Sequence, residues 1–332
     1  MKKLMNRPQD FVDEMLDGLV EANPSLTRDG ESGRVIRRTT PAAPKVGVVS
    51  GGGSGHLPLF TGYVGQGLLD TCSIGNVFEG PTVGSCIEAM KLADQGRGVL
   101  RLYGNYGGDR MNFDMAGEML EDDGIRSTTV LGTDDIASAG PEERQKRRGV
   151  AGIIYAYKAA GAAAEAGADL DAVTAIAQRT VDLTRTIGVA MSPCQVPGAD
   201  RPSFVLGEDE IEMGMGIHGE PGIWRDKLRP ADEIADEMVE RLLADRPEGS
   251  GTRASVLVNS LGATSLEELF ILYRRVSKKL GEAGITIVQP LVGHFATSME
   301  MAGVSVSLCF ADPEIEALLA SPSSCPFWKV QP

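Results

Sequence analysis

Three short apolar, β-branched runs end in glycine and give way to helical patterning: KVGVVS at 45–50 into GGGSG, GVLRLY at 98–103 into GNYGGD, and SVLVNSLGAT at 255–264 into a helix. Strand, glycine turn and helix in that order predict α/β architecture. In open α/β sheets ligands gather outside the carboxyl ends of the strands, so the glycine clusters there are the places to look for chemistry. Helical spacing is clearest from Asp169 to about Ile187, which puts Val173, Ile176, Ala177 and Val181 on one face. Thr264 and Glu267 have capping-box spacing ahead of Leu266, Phe270 and Leu272. The alanine-rich segment RRGVAGIIYAYKAAGAAAEAG, 147–167, predicts a buried, closely packed helix. No repeat recurs at a solenoid period. Two turn-forming clusters in MSPCQVPGADRP, 191–202, place a domain boundary there, giving an N-terminal domain at 1–190 and a C-terminal domain at 191–332. The final ASPSSCPFWKVQP, 320–332, predicts an irregular tail.

Composition narrows the function classes. The chain has 332 residues, 42% of them hydrophobic and 23% charged, enough apolar material for two ordinary domains. A formal net charge of −14 argues against sequence-independent binding to nucleic acid or to an anionic membrane surface, both of which need cationic patches. The longest basic run, RQKRR at 144–148, reads as a solvated helix end. Cys72, Cys86, Cys194, Cys309 and Cys325 form no CxxC pair, so neither a zinc knuckle nor a redox motif is offered. Scattered cysteines fit a reducing cytosol. MKKLMNRPQDFVDEML lacks the apolar run of a signal peptide, and a cytoplasmic location is expected.

The segment GGGSGH, 51–56, resembles a phosphate cradle, but a P-loop needs a lysine and a hydroxyl after its last glycine, and here His56, Leu57 and Pro58 follow Gly55. A dinucleotide fingerprint fails as well: its sixth position is His56, and the residue before a proline is pushed out of helical conformation. Two readings remain: bare backbone that approaches a ligand and presents one imidazole, or a tight strand exit with a packed histidine. His218 in EIEMGMGIHGEPG, 210–222, lies among closely spaced glycines, with Pro221-Gly222 suited to a type II turn, and is a candidate site residue. His294 in QPLVGHFATSME has no such loop and reads as structural. Asp109 in GNYGGDRMNFD follows a strand-exit Gly-Gly; it suits a helix N-cap or a general base for a hydroxyl.

Taken together, GGGSGH, NYGGDRMNFDMAGEM, RRGVAG, TIGVAMS, GIHGEPG and LVNSLGAT resemble, in order and spacing, the ketone-binding subunit of dihydroxyacetone kinases over nearly the whole chain. The resemblance implies two α/β domains, each a mixed β-sheet flanked by helices, in a cytoplasmic homodimer. It implies that His218 attacks the carbonyl of a ketose and holds it as a hemiaminal. Gly53, Ser54, Gly55 and His56 would bind the substrate from the other side, with Gly104 and Gly108 also lining it. Asp109 would take the proton of the terminal hydroxyl as that oxygen attacks the phosphoryl group. Only a neutral imidazole is nucleophilic and only a carbonyl can form the adduct, so this chemistry selects ketoses over polyols. Phosphoryl transfer needs a donor whose charge is neutralised, and nothing in these residues supplies that. The resemblance implies that this role belongs to a separate nucleotide-binding module, a partner subunit or a C-terminal domain of a longer chain, which would carry ATP or ADP with magnesium and be linked or not to a phosphotransferase system, with no metal on this chain.

The sequence departs from the family pattern at three places: Leu57 stands for a glutamate, Gly104 for a lysine, and Gly80 for a serine. Loss of polar contacts at Gly80 and Gly104 is expected to open space for a four-carbon ketose such as erythrulose. Dihydroxyacetone with drifted secondary contacts is the other catalytic reading. A non-catalytic ketose sensor is the alternative, against which Asp109 argues, since binding alone requires no base.

Overall fold

The strand, glycine and helix rhythm is realised in two six-stranded sheets. A computed structural model describes residues 2–39 and 43–331. The chain divides into two units, one of Met1–Leu131, Ala156–Arg179 and Ala317–Pro332, the other of Gly132–Tyr155 and Thr180–Glu316.

In the first unit α1 (Phe11–Ala22) leads into β1 (Leu26–Asp29), β2 (Val35–Arg38), β3 (Gly47–Ser54), β4 (Thr71–Val77), α2 (Val83–Ala93), β5 (Val99–Gly104), α3 (Gly107–Asp122) and β6 (Ser127–Gly132). The sheet runs β1-β2-β4-β3-β5-β6. β3 lies parallel to both β4 and β5, whereas β2 is antiparallel to β1 and β4. The three parallel strands therefore end on one edge. Val49, Met90, Tyr103, Phe113 and Leu120 form the core beneath α2 and α3. β3 continues beyond Ser50, where the apolar run ends, because Gly51 and Gly52 pair with Ser73 and Ile74 of β4. α4 (Ile153–Glu165) and α5 (Leu170–Asp182) follow in sequence. The alanine-rich segment is buried as expected, although 147–152 precede the helix.

The second unit holds β7 (Thr184–Ala190), β8 (Glu210–Met213), β9 (Trp224–Lys227), α6 (Ala231–Ala244), β10 (Arg253–Ser260), α7 (Leu266–Glu282), β11 (Thr286–Gly293) and β12 (Gly303–Cys309), before α8 (Pro313–Ala320). Its order is β11-β10-β12-β7-β8-β9, with β10 and β11 parallel and the other neighbours antiparallel. Val239, Val256, Leu272, Val306 and Phe310 are among its core residues.

Four local expectations change. The helix expected to reach Ile187 stops at Asp182, because β-branched Thr184, Thr186, Ile187 and Val189 pair with β12 instead. That pairing, from Thr184↔Cys309 to Ala190↔Gly303, also keeps residues on either side of 190 in one sheet, so the chain is not cut there. The N-cap of α7 is Ser265, boxed with Glu268, one residue later than expected. Thr264 is unavailable because its hydroxyl donates to the Gly303 carbonyl at 2.8 Å and accepts the Gly303 N–H at 2.9 Å. The C-terminal stretch is not an irregular tail: β13 (Ser323–Ser324) pairs with β14 (Lys329–Val330), and buried Trp328 sets its edge on Tyr63 at 6.3 Å.

The basic run at 144–148 is solvated only in part. Arg144 and Lys146 are exposed, but Arg147 is fully buried and forms a two-pronged ion pair with Asp245 at 2.8 and 2.6 Å. No helix among the described residues is long and apolar enough to cross a membrane.

Candidate active site

At the shared edge of β4, β3 and β5 the first unit assembles most of the candidate residues. His56 follows β3 and is 1% exposed. Phe78 stacks on its ring at 5.0 Å and Phe60 meets it edge-on at 6.2 Å. Both phenylalanines have left-handed backbones, with φ of 71° at Phe60 and 61° at Phe78. Bulky residues there carry strain on the order of 1–3 kcal/mol each, held only by surroundings that leave no alternative. The segment that carries Phe78 also borders Asp109: a Cβ built on Gly80 would overlap Oδ1 of Asp109. Residues 78–80 thus touch the imidazole with one end and the carboxylate with the other.

Asp109 is the third residue of α3 and 7% exposed. It is therefore not the N-cap; that position belongs to Tyr106, whose side chain makes no capping bond. The Asp109 carboxylate lies in the first turn of α3, at the positive end of the helix dipole. Asn112 of the same helix donates to the Pro81 carbonyl at 2.7 Å, tying α3 to the segment after Gly80. Burial pushes the nearby Cys86 thiol up to about 12, and the charge of Asp109 pushes it the same way. Gly104 ends β5 and is buried, Gly108 is the exposed second residue of α3, and Ser54 ends β3 with its carbonyl accepting the Phe78 N–H at 3.0 Å.

Three of the four glycines of GGGSGH have an internal explanation. A Cβ on Gly51 would meet the Ser73 carbonyl and the Phe113 ring, one on Gly52 the Phe60 ring, and one on Gly53 the backbone of Phe78 and Glu79 at 2.9 Å. These close approaches are within the protein.

His218 belongs to the second unit. The turn expected at Pro221-Gly222 lies earlier: Gly219, with φ of 86°, donates its N–H to the Gly216 carbonyl at 3.1 Å, and His218 sits third in that turn. Its side chain is 24% exposed. Glu220, which sequence reasoning passed over although it lies inside GIHGEPG, folds back over the turn. One carboxylate oxygen accepts the His218 N–H at 3.0 Å and the other lies 3.2 Å from ring Nδ1. Burial opposes the Glu220 charge, but the His218 bond and the Arg148 guanidinium outweigh it and hold the carboxyl down at about 2. Arg148 in turn grips Asp135 at 2.9 and 2.8 Å. The only sequence signal for Glu220 was a carboxylate two residues after the histidine. His294 is exposed, with Nε2 3.2 Å from the Gly262 carbonyl.

Residues 17–327 match the Dak1 domain family. The chain belongs to the Dak1 domain family. A Listeria innocua relative, "PTS-dependent dihydroxyacetone kinase 2, dihydroxyacetone-binding subunit DhaK", is 43% identical to this Dak1 chain over 99% of its length and 100% of the relative's. The "L-erythrulose kinase" of Pectobacterium atrosepticum is 44% identical over 99% of the chain, which spans only 56% of that longer protein. Among solved structures, the dihydroxyacetone kinase of C. freundii aligns with a TM-score of 0.91 at 31% identity, over 99% of this chain and 60% of that one. A "dihydroxyacetone kinase operon co-activator", DhaQ, aligns with a TM-score of 0.89 at 34% identity, over 95% and 98% of the two chains. The expected two mixed α/β sheets are those of a Dak1 protein.

Proposed function

We propose that this Dak1 chain is the ketose-binding subunit of a dihydroxyacetone-type kinase, taking dihydroxyacetone or a tetrulose such as erythrulose. The observation that carries the reading is the joint contact of residues 78–80 with His56 and Asp109 at the edge where β4, β3 and β5 end. A buried carboxylate in a helix's first turn, linked through residues 78–80 to a caged imidazole, suits deprotonation of a substrate hydroxyl, with positioning by hydrogen bonds. His218 captures the ketose carbonyl as a hemiaminal, Asp109 accepts the hydroxyl proton during phosphoryl transfer, and His56 with Gly53, Ser54 and Gly55 orients the substrate. Gly104 and Gly108 flank it. The phosphoryl donor, a nucleotide with magnesium, sits on a partner subunit, and the chain itself works as a cytoplasmic homodimer.

A sensor would need capture alone; a buried carboxylate suited to a general base favours transfer. The test uses dihydroxyacetone labelled with carbon-13 at its carbonyl. On mixing with the protein, the carbonyl resonance is expected to give way to that of a tetrahedral carbon, and His218→Ala to abolish the change. A wild-type protein that leaves the carbonyl signal untouched, for both dihydroxyacetone and erythrulose, refutes the proposal.

A further inference from the structure

We infer that Glu220 is the positioning residue for His218: by holding the ring's proton on Nδ1 it places the lone pair on Nε2 and aims that nitrogen as the nucleophile. The inference rests on the proposed ketose chemistry for the identity of the electrophile, but its geometry stands on its own.

A neutral imidazole has one N–H and one lone pair, and the partner of one nitrogen decides where the proton resides. A carboxylate can only accept, so a ring nitrogen bonded to it must donate. Glu220 Oε1 lies 3.2 Å from Nδ1 while Oε2 accepts the backbone N–H of the same residue at 3.0 Å. A single carboxylate therefore fixes both the backbone and the ring of His218. The surroundings are shaped to admit it. A Cβ on Gly216 would overlap Glu220 Oε2 and lie 2.7 Å from Arg148 Nη1, so this glycine is the space the carboxylate occupies. Arg148 Nη1 lies 3.8 Å from Oε2 and adds to the His218 bond in favouring the charge. Ser298 donates its hydroxyl to the Ile217 carbonyl and anchors the residue before the histidine.

The consequence for capture follows from electron bookkeeping. The Nε2 lone pair forms the bond to the carbonyl carbon, the carbonyl π pair moves onto oxygen, and that oxygen takes a proton from water. The ring is then substituted on Nε2 and still protonated on Nδ1, so it is a cation. Glu220 faces that cation and stabilises the adduct more than the free imidazole. A buffer acid protonates the hydroxide left by that water, so capture takes up one proton from solution overall.

Two variants test this. Glu220→Gln keeps the shape and an acceptor for the backbone N–H but loses the charge and the obligatory acceptor for Nδ1; Glu220→Ala loses both contacts. Nitrogen-15 spectra of the imidazoles report the tautomer without substrate, with His218 assigned by comparison with His218→Ala. The expected wild-type signature is protonated Nδ1 with bare Nε2, and a shifted tautomer balance in Glu220→Gln. Capture of labelled dihydroxyacetone is expected to weaken roughly tenfold to a hundredfold in Glu220→Gln, by analogy with the range seen when the partner that orients a metal-ligating imidazole is removed. Wild-type capture and an unchanged tautomer in Glu220→Gln would overturn the role of Glu220 while leaving ketose binding intact. If the wild type captures no ketose, the functional proposal fails, and the nitrogen spectra still decide whether Glu220 sets the tautomer. Should Glu220→Ala not fold, the glutamine variant alone carries the decision.

Discussion

Replacing Asp245 by alanine would leave two buried guanidiniums without their shared carboxylate. Asp245 accepts from Arg147 at 2.8 and 2.6 Å and from Arg185 Nε at 2.6 Å, with the two arginine side chains 1% and 3% exposed. Burial pushes the Arg185 guanidinium down from its ordinary value, and Asp245 is the group that opposes this. Charge-assisted bonds are worth about 1.5–3 kcal/mol each, but the three do not add, because they share one acceptor. Both arginines also keep carbonyl partners: Ala139 for Arg147, and Asp182 and Thr184 for Arg185. Breaking a buried pair from one side costs about 3–5 kcal/mol, and about 4 kcal/mol is expected here. For a unit of this size that corresponds to a fall in Tm of roughly 8–16 °C by differential scanning calorimetry. The sign of the pH dependence is fixed as well. Burial opposes the Asp245 charge, yet the two guanidiniums hold its carboxyl below the usual aspartate value. Its stabilisation is therefore present above that value and lost as the pH falls through the depressed one, so the gap between wild type and variant should close in acid. A Tm within 2 °C of wild type at neutral pH would refute the reasoning.

Two further predictions concern Asp109. Asp109→Asn should capture labelled ketose as the wild type does but fail to transfer a phosphoryl group when supplied with a nucleotide-binding partner, and normal turnover would remove Asp109 from the mechanism. Gly80→Ala should force the Asp109 carboxylate aside, at roughly 0.5–1.5 kcal/mol for an off-rotamer side chain. A displacement on the order of 1 Å at a reacting group costs up to about a hundredfold. Turnover is expected to drop tenfold or more with capture on His218 intact, and an unchanged rate would show that the carboxylate has room to spare.

The features legible in the sequence were those set by neighbours in the chain. Strand ends marked by glycine and the buried alanine helix follow from local pattern. The features that escaped depend on partners far away in sequence. Thr264 and Ser265 are equally good caps on local grounds, and the choice falls to Ser265 because Gly303 of β12 claims the Thr264 hydroxyl. Thr184–Ile187 continue a helical spacing, yet the pairing with β12 makes them strand. Arg147 reads as solvated until Asp245, 98 residues away, is seen beside it. In each case local propensity was close to balanced and a tertiary contact decided.

Glycine-rich motifs pose a different problem, because a bare backbone announces close approach without saying by what. In GGGSGH the approaching groups are Ser73, Phe113, Phe60 and the Phe78–Glu79 backbone. The same aromatic residues, Phe60 and Phe78, cage His56. The glycines thus serve the imidazole indirectly, by letting its cage close. Gly80 reverses an expectation in the same way. Its missing side chain was expected to enlarge the substrate space, but the vacated position lies against the Asp109 carboxylate. A glycine at 80 therefore sets where the Asp109 carboxylate stands.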